Sequence, residues 1–236
     1  MLIRFLKTVV GILLIPLAIG TSRAFYEQML LLGNAAQGTH MLERGIMVYV
    51  LFHVVIARPI YLYVVGHECV HVLATWICGG RVERFNISKS GGSVVTSKTN
   101  FFIELSPYFV PIYTLLLAPV FLVIRSNIFG HPNFNINDLF IFLVGITLAF
   151  HFVMTSEVLR MEQSDIAKSG FVLSMVVILT ANLVVTLGVF CPFFNSVSFL
   201  GFIKNTWSYS YGIYNTVGIA IASWWNWSVV FFERFF

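Results

Sequence analysis

The sequence predicts an all-α polytopic membrane protein with about five to six transmembrane helices and a small β-hairpin after one of them. Hydrophobic residues make up 58% of the 236 residues and charged residues only 10%, a composition too apolar for a soluble domain. The apolar residues lie in long runs that short polar segments separate. We therefore expect one integral membrane domain over residues 1–236, with the hairpin as an insertion at about 81–104.

Apolar runs of about twenty residues define the predicted spans, and stretches with Gly, Pro or Asn separate them. The predicted spans are residues 5–22, 44–78, 107–124, 138–156, 170–189 and 211–232. The predicted connections are residues 23–43, 81–104, 125–137, 157–169 and 192–210, of which 23–43 is a loop or a short surface helix. We expect 44–78 to be one kinked or re-entrant unit that crosses the bilayer once, and 211–232 to span the membrane or lie in its interface.

The third apolar segment contains the pentapeptide His67-Glu68-Cys69-Val70-His71. On a helix, His67 and His71 project from one face, so both imidazoles can bind one Zn²⁺. Glu68 lies about a hundred degrees round the helix, where its carboxylate can accept a proton from a metal-bound water. A glutamate inside a spanning helix costs about 2.5 to 3.5 kcal/mol, so its presence indicates function rather than chance.

Residues 81–104 change from a helical to an alternating pattern. Phe85 and Ile87 alternate with polar neighbours, residues 89–92 are turn-forming, and residues 93–97 are rich in β-branched side chains. This pattern predicts a hairpin with room for a third short strand. The hairpin is either a tethered surface loop or a substrate clamp, whose exposed strand edge extends an incoming peptide by β-augmentation.

The motif and its surroundings resemble a known family. His67-Glu68-x-x-His71 in a transmembrane helix, followed by Gly79-Gly80-Arg81-Val82 and a glycine-bearing hairpin, is similar to the site-2 protease family of intramembrane zinc metalloproteases, especially its small, divergent bacterial members without a PDZ domain. The likeness is strongest from Tyr63 to Pro111. The family's Leu-Asp-Gly motif, whose aspartate completes the zinc site, is not present in that form, and Gln163-Ser164-Asp165 resembles the Ser-Asp element of divergent relatives. The resemblance implies a Zn²⁺ cofactor, a membrane-protein substrate and a bacterial inner membrane.

A catalytic zinc site needs a third protein ligand, for which the sequence offers His151, Glu157 and Asp165. His151 lies within its span, at a depth similar to that of His71. Asp165 gives the common set of two histidines and a carboxylate, provided that residues 158–169 fold back into the bundle. We predict Asp165 as the ligand, His151 as a residue behind the ligands or a substitute ligand, and Glu157 as a solvated helix-end charge. The alternative for Asp165 is a cap on the helix that starts near Gly170.

Two functions from different classes fit these residues. The first is an intramembrane zinc metalloendopeptidase that hydrolyses a peptide bond in or near a transmembrane segment of a membrane protein, with Glu68 as general base and then general acid. The second is a non-proteolytic zinc-binding membrane protein, such as a sensor, scaffold or inactive relative. Glu68 favours the enzyme, because metal binding alone needs the two histidines but not this carboxylate.

The distribution of Lys and Arg predicts the orientation. With a cytoplasmic N-terminus, nine of the 14 basic residues fall on the cytoplasmic side and five outside, as the positive-inside rule requires. The nine are Arg4, Lys7, Arg81, Arg84, Lys89, Lys98, Arg160, Lys168 and Arg234, and the five are Arg23, Arg44, Arg58, Arg125 and Lys204. No basic run with interleaved aromatics is present, so the expected partners are the lipid bilayer and a membrane-protein substrate, not nucleic acid.

Overall fold

The structure, a computed structural model, describes residues 2–33, 39–88, 91–127, 136–161 and 163–235. Its elements are α1 (Leu2–Gly33), α2 (Thr39–Val55), α3 (Ile60–Ile77), β1 (Val82–Ser88), β2 (Gly91–Thr96), α4 (Phe101–Leu105), a 3-10 turn (Ser106–Tyr108), α5 (Ile112–Asn127), α6 (Ile136–Leu159), α7 (Ser164–Ser169), α8 (Phe171–Phe190) and α9 (Phe199–Phe235). The prediction of a mostly helical chain with a small antiparallel sheet is confirmed.

Several helices are long and apolar enough to cross a membrane. Among the described residues, α1, α3, the segment Asn137–Leu159 of α6, and α8 meet this condition. A fifth candidate is the pair Phe101–Tyr108 and Ile112–Phe121, which is bent by 74°. The described part of the chain therefore offers four to five candidate spans, where the sequence predicted about five to six. The last predicted span, 211–232, is not among these candidates, because polar residues such as Asn215, Thr216 and Asn226 lower the hydropathy of α9.

Two predicted loops are largely helical. Residues 23–33 continue α1 and α2 begins at Thr39, so 23–43 is helical where the structure describes it, and residues 34–38 lie outside the described residues. The helix α9 begins at Phe199, so the loop prediction for 192–210 is confirmed for 192–198 and wrong for 199–210.

The polar residues that suggested these loops instead pair two helices with each other. Glu27 accepts hydrogen bonds from the Asn205 amide at 2.9 Å and from the Tyr209 hydroxyl. Gln28 Oε1 accepts the Ser198 backbone N–H at 2.8 Å. Further along, Tyr214 donates to the Leu13 carbonyl at 2.5 Å, so α9 runs antiparallel to α1.

Residues 44–78, predicted as one kinked or re-entrant unit, form two separate helices, α2 and α3, of which α3 alone is a candidate span among the described residues. The helix α2 runs parallel to α6, with Gly45 against Gly145 and Tyr49 against Phe150. A Cβ atom on Gly45 would lie 2.1 Å from the Phe142 carbonyl oxygen, so this close helix contact requires glycine.

The remaining long helices converge at one end of the bundle. The helix α8 runs antiparallel to α6, since Asn182 meets His151 and Phe193 meets Phe140. It runs parallel to α1, whose Lys7 Nζ donates to the Lys168 carbonyl at 2.6 Å. The start of α1, the end of α6, α7 and the start of α8 therefore lie together, and we call this the α7 end.

The junction between α2 and α3 also lies at the α7 end. Arg58 Nη1 is 3.5 Å from Glu157 Oε1, and Glu157 is two residues from the end of α6. The sequence count placed Arg58 on the side opposite Arg160, and the structure overturns that placement.

The hairpin has the predicted antiparallel pairing but is shorter than predicted. Val82 pairs with Thr96, Phe85 with Val94 and Ser88 with Gly91, with an irregularity between Val82 and Arg84. Residues 89–90 of the predicted turn lie outside the described residues.

A third strand is not formed by residues 97–104. The helix α4 begins there instead, because the Asn100 side chain caps it by accepting the Ile103 N–H at 2.8 Å. The span predicted from 107 starts only at Ile112, after the 3-10 turn. Of the predicted loop 125–137, the first three residues belong to α5 and the last two to α6, and 128–135 lie outside the described residues.

Candidate metal centre

Two histidines and one aspartate meet at the α7 end. The rings of His67 and His71 are 4.9 Å apart on one face of α3. Asp165 Oδ2 lies 3.9 Å from His67 Nε2 and 3.4 Å from His71 Nε2. Each of the three residues offers one potential ligand atom, and these atoms all lie within 4.8 Å of one another. The structure thus brings together the three residues that the sequence analysis predicted as metal ligands.

The spacing of these atoms suits zinc. Tetrahedral zinc holds nitrogen and oxygen ligands at about 2.0 to 2.2 Å, which places neighbouring ligand atoms about 3.4 Å apart. The observed separations of 3.4 and 3.9 Å between Asp165 and the histidines are close to that value. Two neutral imidazoles and one carboxylate also form a donor set that catalytic zinc sites use, with the fourth position left for water.

Asp165 reaches the histidines because α7 is a separate short helix between α6 and α8. It lies in the first turn of α7, and α8 starts only after Gly170, whose φ of +90° reverses the chain. Asp165 therefore does not cap α8, and that alternative is wrong. On the apolar side, Ile166 packs in a cluster with Leu105 and Tyr108, which fixes α7 against the chain before α5.

Polar contacts hold α7 from two further directions. Ser169 Oγ donates to Glu104 Oε2 at 2.5 Å, which joins α7 to α4. The Lys7 contact with the Lys168 carbonyl joins α7 to the start of α1. The sequence analysis missed Glu104, although an acidic residue in the apolar run Phe101–Leu105 was a signal for it.

The histidines are oriented by what surrounds them. The Ile103 carbonyl lies 2.8 Å from His71 Nδ1 and accepts its proton, so Nε2 is the ring nitrogen that faces Asp165. His67 Nδ1 is buried and has no hydrogen-bond partner among the described groups.

Asp165 is electrostatically matched to the two histidines. Burial raises the pKa of the Asp165 carboxyl, but the imidazoles of His67 and His71, whose Nε2 atoms lie 3.9 and 3.4 Å from Oδ2, outweigh burial and hold the pKa well below its usual range. The group is therefore ionised at neutral pH. An ionised carboxylate is the form that binds a metal ion.

Glu68 lies beside this cluster, under the hairpin. Its side chain is 7% exposed. A Cβ atom on Gly92 would lie 2.7 Å from Glu68 Oε1, so the backbone of β2 covers the carboxylate at close range. The absence of a side chain at position 92 is what permits this contact.

A cleft of about 490 Å³ opens at the site. Residues of β2 form one wall, and α4 and α7 form others. The lining residues are His67, Glu68, His71, Gly92, Ser93, Val94, Val95, Thr96, Thr99, Ile103, Glu104, Gln163, Ser164, Asp165 and Lys168. The three candidate ligands and the candidate base therefore face one polar space that is large enough for part of a peptide.

The structure does not bring the other two candidate ligands into the cluster. His151 is buried behind the cluster, and its Nε2 lies 3.2 Å from Asn182 Oδ1. Glu157 was predicted to be a solvated charge, but its side chain is 30% exposed and faces His53 Nε2 at 3.2 Å as well as Arg58. That prediction is wrong, because two basic partners from α2 and the α2–α3 junction reach Glu157 at the end of α6.

Comparisons of the chain with protein-family models, curated proteins and solved structures find no match. The functional argument therefore depends on the cluster, the cleft and the chemistry of their residues.

Alanine at His67, His71 or Asp165 should remove stoichiometric zinc from the purified protein, because each change deletes one of three ligands. Metal analysis of the detergent-purified variants measures this directly. Glu157→Ala is the control and should bind zinc as wild type does, and His151→Ala, which deletes no ligand, should still bind zinc with lower affinity. A zinc-free His151 variant beside a zinc-loaded Asp165 variant would reverse the assignment.

Proposed function

We propose that this chain is an intramembrane zinc metalloendopeptidase that hydrolyses a peptide bond in or near a transmembrane segment of a membrane protein. The observation that carries the proposal is a buried glutamate beside a compact set of two histidines and one aspartate, in a cleft with a β-strand as one wall. The site-2 protease family, which the sequence resembles, combines these same parts.

Each residue has a distinct role in this reaction. His67 and His71 would hold the metal through Nε2, and Asp165 would hold it through a carboxylate oxygen. When bound, Zn²⁺ would acidify a water and polarise the scissile carbonyl. The Glu68 carboxylate accepts the proton of the attacking water and then donates it to the nitrogen of the leaving amine. Burial of Glu68 beneath β2 limits the positions that its carboxylate can take.

The hairpin serves as the substrate clamp in this proposal. β2 is hydrogen-bonded to β1 along one edge, and its residues Gly92–Thr96 line the cleft. A peptide must lose its helical structure before its carbonyl can be attacked. Pairing of an extended peptide with the other edge of β2 would hold it open beside Glu68.

We also propose a multi-pass protein of a bacterial inner membrane with a cytoplasmic N-terminus. With Arg58 at the α7 end, the basic residues at the opposite end are Arg23, Arg44, Arg125 and Lys204. The larger basic group is then cytoplasmic, as the positive-inside rule requires. The site at the α7 end opens toward the cytoplasm in this orientation.

Glu68→Gln should lower cleavage by at least about 100-fold and leave bound zinc nearly unchanged, because the amide cannot accept the proton but takes up similar space. The assay uses candidate single-span membrane proteins, with zinc measured in the same preparations. A Gln variant that cleaves as fast as wild type would exclude this mechanism. A wild-type protein that binds zinc and cleaves no substrate would favour the sensor or scaffold alternative.

Gly92→Ala should lower cleavage about tenfold with zinc retained, because the new methyl group displaces either β2 or the Glu68 carboxylate at an overpacking cost of about 1 to 3 kcal/mol. Ser93→Ala, one residue along β2, is the matched control and should stay within about twofold of wild type. Equal rates for both variants would argue against a role for the contact between β2 and Glu68.

Cysteine labelling in intact bacteria tests the orientation, with Cys69, Cys78 and Cys191 first replaced by alanine. His40 and Lys168 are suitable probe sites, since their side chains are 71% and 61% exposed at opposite ends of the bundle. Cysteine at position 40 should react with an impermeant reagent, and cysteine at position 168 should react only after permeabilisation. The reverse pattern would place the site on the outer side of the membrane.

A further inference from the structure

We propose that Tyr108 positions the ligands of the metal centre, and that a buried chain of hydrogen bonds from His151 through Asn182 holds Tyr108 in place. This inference rests on the proposed metal site and extends it to residues outside the cleft. It gives His151 a role that does not involve binding metal.

Tyr108 contacts two of the three candidate ligands. Its side chain is 0% exposed, and its ring stands edge-on to His67 at 5.1 Å with an interplanar angle of 84°. Its hydroxyl donates to Asp165 Oδ2 at 3.5 Å. A buried tyrosine hydroxyl needs a polar partner, and Asp165 supplies it. One side chain therefore restricts both the tilt of the His67 ring and the rotation of the Asp165 carboxylate.

The position of Tyr108 separates it from residues that touch substrate. Tyr108 is not among the described residues that line the cleft. Its hydroxyl approaches Oδ2, the same oxygen that faces both histidines. The residue therefore acts through Asp165 and His67, which makes it a positioning residue rather than a catalytic one.

Asn182 on α8 fixes the backbone of Tyr108. Its Nδ2 donates to the Tyr108 carbonyl and to the Ile178 carbonyl, each at 2.9 Å. Both amide protons are thus used, and Oδ1 remains as the acceptor. This assignment also fixes which way the amide group points.

His151 on α6 completes the chain. Its Nε2 lies 3.2 Å from Asn182 Oδ1, and because that oxygen can only accept, Nε2 must carry the proton. A protonated Nε2 cannot bind zinc through that atom. His151 therefore orients Asn182, which in turn holds the 3-10 turn that carries Tyr108.

This arrangement fits a general property of metal sites, in which partners of the ligands fix their orientation. Removal of such partners commonly lowers metal affinity by about 10- to 100-fold without removing a ligand. The chain from His151 links α6 and α8 to the turn just before α5. Helices that lie behind the cleft thereby contribute to the geometry of the site.

Tyr108→Phe keeps the ring beside His67 and removes the hydroxyl beside Asp165. We expect Zn²⁺ affinity of the full-length, detergent-purified chain to fall by about 10- to 100-fold, measured by chelator competition, with an unchanged melting temperature. The visible absorption spectrum of the Co²⁺-substituted variant should also differ from that of wild type, because the ligand geometry changes. Tyr49→Phe is the matched control, since it removes a buried tyrosine hydroxyl that faces His53 outside the cluster.

His151 provides the second pair of variants. The amide of His151→Gln can still donate near the former Nε2 position and should keep Zn²⁺ affinity within about threefold, whereas His151→Leu should weaken it by about 10- to 100-fold. If the Leu variant fails to fold, Tyr108→Phe and His151→Gln still decide the question. Loss of zinc in the Gln variant would make His151 a ligand and overturn the inference.

The outcomes also separate this inference from the proposed function. A wild-type chain that binds no zinc overturns the metal site, and the positioning role falls with it. A wild-type chain that binds zinc, beside a Tyr108→Phe variant with the same affinity and the same Co²⁺ spectrum, overturns the positioning role alone.

Discussion

The contact of Asp165 with His67 and His71 is the interaction on which the rest of this structure depends. Charged and polar groups in an apolar environment must find partners, because the cost of leaving them unpaired is large. Here the partners come from α3 and from the short helix between α6 and α8. The contact therefore decides where α7 lies, and α7 in turn fixes how α8 begins. Glu104, Lys7 and Tyr108 then hold α7 from three directions.

The packing of the long helices brings the residues that hold α7, which are Glu104, Lys7 and Tyr108, to one end of the bundle. Glycine allows α2 to approach α6 and α1 to approach α8, where Gly45 and Gly11 lie against neighbouring backbone. The antiparallel contact of α1 with α9 is fixed at the opposite end by hydrogen bonds to Glu27 and Gln28. The backbone of α1 is thus held at both ends, which keeps Lys7 next to α7.

Local patterns in the sequence predicted the parts of this protein that depend on neighbours in the chain. The spacing of His67 and His71 predicted a shared helix face, and the alternating residues after Arg81 predicted the hairpin. The prediction of Asp165 as a ligand came from ligand chemistry and from the family resemblance, and it required residues 158–169 to fold back into the bundle. The short helix α7 provides this fold-back. Residues 23–33 continue α1 and Glu157 is partly covered, because their polar side chains pair with residues far away in sequence. Tyr108 was missed for a similar reason, since its neighbours come from α3, α7 and α8.

Two glutamates of this protein illustrate how an acid that is paired in the scaffold differs from one in the proposed site. Glu157 faces His53 and Arg58, so its charge is neutralised by residues that join α2, α3 and α6. Glu68 is more buried, and in the described part of the chain it has no hydrogen bond or ion pair of its own. Burial of a carboxylate without a hydrogen bond opposes folding. Its position, covered by β2 and facing the same cleft as His67, His71 and Asp165, instead suits a group that exchanges protons with a substrate. The proposed function therefore accounts for the burial of Glu68 by its reactivity, whereas Glu157, whose side chain is 30% exposed, serves the packing of α2, α3 and α6.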